Sequence, residues 1–481
     1  MTFLLTFWRS RALTIIISLY LLIGLGWALA IPPFEKPDEI NHVAFIQLVA
    51  LSGGWPDLRH PQSILVGWEA QQPPLYYLVG AATYRAVRAF GMSATDLNGW
   101  LKRTNPNFFW KRPPRENNFF YQAGTFFRPD VAFPYDLMAL RLMTLALGAV
   151  TVFFCYKTAL LAFRNNSQLA LVTTGLVAFL PQFTFITTTV SNDNLAIAFG
   201  ALALYLLARL RFARDSALRR DCVVLGAVLG LGVLSKLTAL SLLPLALLAV
   251  WQVKATTRQR VQYLFWTGLV CWFVTVGWFA RNLVVYGDLL GRYFIVDPIA
   301  FASEISPKSL FSPYFGDYFW RTLGQSLVGR FGFMHIALPD WFYRLWLALG
   351  LISALGFVTF GMQRKREPTL AAVGVDRGAL LLMSCAVTLA VSALIHLNLT
   401  ISQPQGRLVA HVLPAIAIVL VAGLLESCVF SERLVRRLWP RLAWVQIPWS
   451  LPAVTLLVGA LLVGQNLWTL CFIVLPAYAA P

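Results

Sequence analysis

The chain has 481 residues, 58% of them apolar and 12% charged, with a mean hydropathy of +0.66. Soluble domains carry about 25% charged residues, so half that fraction leaves too little polar side chain to cover a globular surface in water. Disorder, collagen-like repeats and a secreted disulfide scaffold are excluded by the same arithmetic. What remains is an all-α polytopic membrane protein, whose formal charge of +18, from 39 Lys and Arg against 21 Asp and Glu, has to be explained by placement.

The first apolar segment, Ala12 to Ile31, is long enough to cross a hydrocarbon core of roughly 30 Å. It lacks a small-residue cleavage site, which predicts an uncleaved first helix. Ten further spans follow by length and apolar density: Leu137 to Phe163, Leu169 to Thr187, Leu195 to Leu210, Val223 to Leu234, Ala239 to Trp251, Tyr263 to Ala280, Phe342 to Gly361, Ala379 to Leu397, Leu408 to Leu425 and Leu451 to Leu475. The stretch from Val223 to Trp251 is divided at Ser235 and Lys236, because one helix of that length overshoots the bilayer. All six cysteines lie in or at the end of these runs, which argues against a disulfide framework or a C-x-x-C metal site.

With the N-terminus inside, the cytoplasmic loops collect Arg9 and Arg11; Arg164; Arg209, Arg211, Arg214, Arg219 and Arg220; Lys254, Arg258 and Arg260; Arg364, Lys365 and Arg366; and Arg433, Arg436, Arg437 and Arg441. That is the positive-inside pattern. The basic excess therefore reports orientation and contact with anionic headgroups, not nucleic-acid binding. The apolar stretch Leu75 to Ala89 contains Arg85 and Arg88, and counting it as a span would invert every later loop; it reads as an interfacial or re-entrant helix. The expectation is one integral membrane domain over residues 1–481 with about 11 transmembrane helices. Its large external loops are 32–136 and 281–341, and a short link covers 398–407.

The first external loop has proline punctuation at Pro32, Pro33 and Pro37. An amphipathic stretch from Asp38 to Leu51 follows, and then aromatic pairs Phe108 and Phe109, Phe119 and Phe120, and Phe126 and Phe127 among Lys111, Arg112 and Arg115, as suits a surface on headgroups. Its richest segment is Glu35-Lys-Pro-Asp38-Glu39-Ile-Asn41-His42. A helix starting near Pro37 puts Asp38 and Glu39 on one face with His42; equally, two acids suit a helix N-terminus for its dipole alone. Ser191-Asn192-Asp193-Asn194, between the third and fourth spans, supplies a second outward carboxylate, although Asn and Asp are also ordinary turn residues. Two carboxylate sites on one face suit a group transfer, one taking a proton from an acceptor hydroxyl and the other orienting the acceptor or a metal. Asp38, Glu39 and His42 could alternatively ligate a divalent cation such as Mg or Mn.

Cations fall on the same side. Arg281, Arg330 and Arg407 would grip an anionic phosphate or diphosphate, or simply snorkel to the interface; Lys236 is a fourth candidate, or a capping lysine. His335, His396 and His411 read as hydrogen-bonded interface residues. Trp68-Glu69-Ala-Gln71-Gln72-Pro73-Pro74-Leu75-Tyr76-Tyr77 would suit stacking on a sugar face or an interfacial belt. No internal repeat of the transporter kind is visible.

Taken in order, Pro37-Asp38-Glu39 with His42, Gln72-Pro73-Pro74-Leu75-Tyr76-Tyr77, Ser191-Asn192-Asp193-Asn194, Ser235-Lys236-Leu-Thr238, Arg281-Asn282 with Tyr286-Gly287-Asp288, the Gly329 to Pro339 stretch, and Gln405-Gly406-Arg407 with Pro414 carry a resemblance. The chain resembles, over nearly its whole length, the bacterial membrane family known as domain of unknown function 2142. That family is grouped with GT-C glycosyltransferases such as protein O-mannosyltransferases and the aminoarabinose transferase of lipid A. The resemblance implies inverting transfer of a sugar from a polyprenyl-phosphate donor to a glycan, lipid-linked glycan or exported protein at the periplasmic face of the inner membrane. It implies a base or metal-associated residue at Asp38 or Glu39, a second acid at Asp193, and lipid-phosphate contacts at Arg281, Arg330, Arg407 and Lys236. His42, Glu69, Gln72, Tyr76 and Asn192 are the expected substrate contacts. No large soluble C-terminal domain is expected, so acceptor recognition falls to the two large loops. A transporter or lipid flippase and a noncatalytic envelope-assembly protein are the rival readings; the flippase predicts essential ionisable groups near the bilayer midplane, the assembly protein dispensable carboxylates.

Overall fold

The computed structural model describes residues 2–57, 65–92, 95–102, 105, 134–213, 215–291, 307–362, 374–438 and 452–478. The paired phenylalanines of the first loop, Arg214, Arg364 to Arg366 and Arg441 lie outside these residues, as do the side chains of Arg9, Trp68, Arg433, Arg436 and Arg437. Seventeen α-helices run in order. They are α1 (Thr2–Ala30), α2 (Glu39–Ser52), α3 (Leu75–Ala89), α4 (Leu97–Leu101), α5 (Tyr135–Ala162), α6 (Ser167–Ala178), α7 (Pro181–Thr187), α8 (Asp193–Leu210), α9 (Asp215–Ser235), α10 (Leu245–Trp251), α11 (Thr257–Tyr286), α12 (Phe319–Val328), α13 (Asp340–Met362), α14 (Arg377–Asn398), α15 (Leu413–Leu438), α16 (Pro452–Thr469) and α17 (Leu475–Tyr478). Two-residue strands β1 (Arg330–Phe331) and β2 (Ile336–Ala337) pair antiparallel.

Among the described residues eight helical spans are long and apolar enough to cross a membrane, and α6 with α7 makes a ninth, bent by 61°, if the pair is one span. The bend has a local cause. Leu180 is extended and Pro181 opens α7, where its missing N–H costs nothing. Two of the eleven expected spans are less regular. Val223 to Leu234 lies within α9, whose first turns hold Arg219, Arg220 and Asp221, and Ala239 to Trp251 falls on a 3₁₀ turn, Leu237–Leu242, followed by α10. Leu75 to Ala89 forms α3, 15 residues long and too short to span, as its charges predicted.

The helix ends follow capping chemistry. Asn166 accepts from the Gln168 and Leu169 amides at the start of α6, Thr256 and Gln259 form a reciprocal capping box on α11, and Gly287 closes α11 in the left-handed conformation. Three buried clusters fill the bundle. One joins α8, α9, α14 and α15; a second joins α1, α7 and α16; the third packs α2 and α3 onto α5. At one end Arg209 pairs with Asp221 at 2.6 Å and Arg211 with Asp376 at 2.9 Å. The other end carries the first loop and the cluster described next.

Candidate active site

Five elements bring the cluster together. The α1–α2 turn supplies Asp38 and Glu39; the 189–194 turn leading into α8 supplies Asp193; the break after α9 supplies Lys236; the β1 strand supplies Arg330; and a 3₁₀ segment, Gly406–Val412, carries Arg407 into α15. Asp38 sits at the head of α2 with φ 58° and makes no side-chain cap bond. Its carboxylate reaches across the molecule instead and accepts from Arg407 at 2.6 Å. A non-glycine residue in that conformation costs free energy and persists where the surroundings fix it. Asp193 accepts from Lys236 Nζ at 2.7 Å and from Ser191 Oγ at 3.0 Å, and Arg407 Nη1 lies 3.9 Å from its second oxygen. Asp38, Arg407, Asp193 and Lys236 thus form one alternating chain of charges.

Glu39 has a different environment. It is fully buried, and its oxygens accept from Arg141 Nε at 2.9 Å and Nη2 at 2.5 Å, from the Val190 amide at 3.1 Å and from the Phe34 amide at 3.1 Å. Burial favours the neutral acid, but the Arg141 guanidinium, nearby Lys36 and the Val190 amide overcome it and hold Glu39 below its ordinary range. Asp38 is likewise held below its ordinary value: burial opposes, while Arg407 and Lys236 prevail. Lys36 is buried on the carbonyl and hydroxyl of Thr188, and burial, followed by repulsion from Arg141, pushes its amine well down. The sequence pairing of Asp38 with Glu39 therefore resolves into one carboxylate facing the charged cluster and one locked into the protein.

The expected substrate contacts lie beside the cluster. His42 Nδ1 meets Tyr77 Oη at 3.0 Å, Tyr77 donates to Glu69 at 3.3 Å, and Asn192 donates to Gln72 at 3.0 Å. Tyr76 packs edge-on against His42 and Tyr77. Burial lowers the imidazole of His42 despite Glu69 and Asp38, favouring the neutral ring. Arg281 stands apart: it donates to the Pro56 carbonyl at 3.1 Å and lies over the rings of Trp278 and Tyr286. His411 meets Ser241 at 2.8 Å and His335 accepts from the Phe333 amide at 3.2 Å.

A narrow cleft with free space of about 20 Å³ opens at the cluster, lined among others by Asp193, Arg330, Arg407, Gln182, Gln405 and Ser326. Arg330 has no ion pair among the described residues, and its Nε is buried without a hydrogen-bond partner. Beside α12 runs a larger apolar groove of about 560 Å³ between α12, α13, α15 and α6, with Arg321, Asp340 and Arg344 as its charged lining residues. Tyr343 joins the two spaces: it lines the groove and donates to the Gly329 carbonyl, next to Arg330, at 2.7 Å.

Asp38, Glu39 and His42 do not form a ligand set for a divalent ion. Glu39 is consumed by Arg141, His42 turns Nδ1 to Tyr77, and no group of three His, Cys, Asp or Glu suited to a metal occurs among the described residues.

A sequence profile of the family described as dolichyl-phosphate-mannose-protein mannosyltransferase matches residues 133–279. No curated protein matches the sequence. Among solved structures, ArnT from Cupriavidus metallidurans bound to undecaprenyl phosphate superposes with a TM-score of 0.50 at 15% identity, over 98% of this chain and 74% of that one. The fold is GT-C-like. The Archaeoglobus fulgidus oligosaccharyltransferase tethered with an acceptor peptide gives a TM-score of 0.46 at 13% identity, covering 98% of this chain and 56% of that one.

In this GT-C-like bundle two residues of the site region escape sequence reasoning. Arg141 sits inside a predicted span, where an ionisable residue is itself a signal, and it fixes which carboxylate is available. Gln182 lies in the unremarkable run Pro181-Gln182-Phe183; only the chain break at Leu180 puts it in the cleft.

Proposed function

We propose that the chain is a glycosyltransferase that moves a sugar, with inversion, from a polyprenyl-phosphate-linked donor to an acceptor hydroxyl. In this reading the protein sits in a bacterial inner membrane with its N-terminus in the cytoplasm and the cleft toward the periplasm. The acceptor is a glycan, a lipid-linked glycan or an exported protein. The observation that carries the reading is Arg330, without an ion pair among the described residues, in a cleft shared with Asp193 and Arg407 and next to an apolar groove.

Charge supports an anionic donor group. Asp38 and Asp193 are matched by Arg407 and Lys236, which leaves Arg330 as a cation of the cleft with no acid paired to it among the described residues, where a phosphodiester would meet it. The donor phosphate rests on Arg330, and the acceptor oxygen attacks the anomeric carbon from the opposite side. As that C–O bond forms, the bond to the phosphate oxygen breaks and its electron pair stays on the phosphate; the hydroxyl proton passes to Asp38. A carboxylate with a depressed pKa is a weak base, so the proton moves late, once the attacking oxygen has become acidic. Neutralising Asp38 frees Arg407, whose guanidinium then meets the second charge of the departing phosphate. Glu39 with Arg141 holds the turn.

Reconstituted protein supplied with polyprenyl-phosphate sugars and acceptor-containing envelope extract should release polyprenyl phosphate and form a glycosylated product. Asp38→Asn should slow this by about 10²–10⁴, the usual worth of a general base. Unchanged turnover in Asp38→Asn, or lipid translocation across vesicles with no covalent product, would sink the proposal.

A further inference from the structure

Gln182 and Gln405 both line the cleft, and each spends its amide oxygen on a group that can only donate. Gln182 Oε1 accepts from the Arg330 backbone amide at 2.6 Å, and Gln405 Oε1 accepts from Arg407 Nε at 2.6 Å. A backbone N–H and a guanidinium Nε–H carry no lone pair to offer, so the amide orientations are settled: oxygen toward the arginine residue, NH₂ away from it. Neither NH₂ group has a protein partner among the described residues. Other polar groups of the wall are occupied: Ser326 Oγ donates to the Thr322 carbonyl at 2.6 Å and accepts from the Gly406 amide at 2.8 Å, and Ser191 Oγ donates to Asp193.

Arg330 tells the same story from the other side. Its amide is tied to Gln182, its Nε is buried without an acceptor, and the short β1–β2 hairpin fixes its backbone. Gln182 in turn is fixed at the first turn of α7, just beyond the 61° break. One wall of the cleft is therefore made of unspent donors, a guanidinium and two carboxamides, on backbone that cannot easily turn away.

We infer that Gln182, with Gln405, is a second binding element for the anionic group of the cleft ligand: each NH₂ donates to a non-bridging phosphate oxygen, while each amide oxygen positions an arginine residue. This rests on the reading of the cleft as a lipid-phosphate site and adds residues to it. Carboxamides contribute donors without charge, so they tighten the grip on the anion while leaving the charge of the site unchanged.

Gln182→Glu is the discriminating variant. It keeps an oxygen for the Arg330 amide and so keeps the hairpin in place, but replaces the NH₂ donor with a negative charge. Binding of undecaprenyl phosphate to protein in nanodiscs should weaken at least tenfold in Gln182→Glu and several-fold in Gln405→Glu, with unfolding temperatures close to that of the parent. In turnover the loss in Gln182→Glu should appear in KM, with kcat changed less than threefold. Arg330→Gln is the control. If it weakens binding tenfold while Gln182→Glu stays within twofold of the parent, the inference is overturned and the phosphate site stands. If Arg330→Gln also leaves binding unchanged, the phosphate site itself fails, and this inference with it.

Discussion

Asp38 and Glu39 are neighbours in sequence with opposite tasks, and the difference is measurable. Glu39 is a fully buried carboxylate whose charge is answered by Arg141 at 2.5 Å. Breaking a buried pair from one side leaves an uncompensated charge and costs about 3–5 kcal/mol. Arg141→Met should therefore lower the unfolding temperature sharply in detergent, whereas Asp38→Asn, at a side chain that is 37% exposed, should slow transfer by about 10²–10⁴ with little change in stability. Because the fold holds Glu39 below its ordinary value of 4.5, its contribution is complete above that pH and is lost as pH falls through the depressed folded value. Thermal unfolding from pH 7 to pH 3.5 should show a drop below about pH 4.5 that Glu39→Gln flattens. A parallel drop in Glu39→Gln would remove Glu39 from the acid response. The sequence places both acids at the outer end of the first helix; choosing between them needs Arg141, 102 residues away, and no spacing rule joins the two.

At the scale of elements, the site is built where helices break. The α6–α7 bend places Gln182, the turn after α9 places Lys236, and the 3₁₀ segment Gly406–Val412 turns Arg407 inward before α15 begins. Hydropathy finds the spans but reads each as continuous, since apolar character does not change where a helix becomes 3₁₀; Leu169 to Thr187 appears as one span for that reason. Pro181 is the visible mark of one break, and Pro414, in the first turn of α15, is the mark of the break at the Arg407 segment. Packing holds these segments in place. A β-carbon on Gly200 of α8 would stand 2.2 Å from the His411 carbonyl oxygen, a backbone atom that must then move with the segment carrying Arg407. Gly200→Ala should cost about 1–3 kcal/mol of stability by overpacking and reduce transfer at least tenfold. Gly459, with nothing within 4 Å, is the matched control, and Gly459→Ala should leave both unchanged. Equal transfer by the two variants would detach Arg407 placement from α8 packing.

On the whole molecule, the net charge of +18 divides by location. The basic residues at the end remote from the site either pair locally, as Arg209 with Asp221 and Arg211 with Asp376, or remain exposed, as Lys254 and Arg258 do. At the site end Arg141, Lys236 and Arg407 are matched to acids inside the bundle, while Arg330 in the cleft is not, among the described residues. Placing the basic residues predicts an orientation for the bundle, because the positive-inside bias acts on many residues at once and tolerates errors in any one helix boundary. The orientation makes its own prediction. Lys102 is exposed after α4 at the end carrying the first loop, and Lys254 is exposed between α10 and α11 at the other. In a variant with the six native cysteines replaced, a membrane-impermeant maleimide should label Lys102→Cys in intact cells. Lys254→Cys should react only after the inner membrane is opened. The reverse pattern would put the cleft in the cytoplasm, where the proposed transfer would have to draw on a donor facing the opposite leaflet.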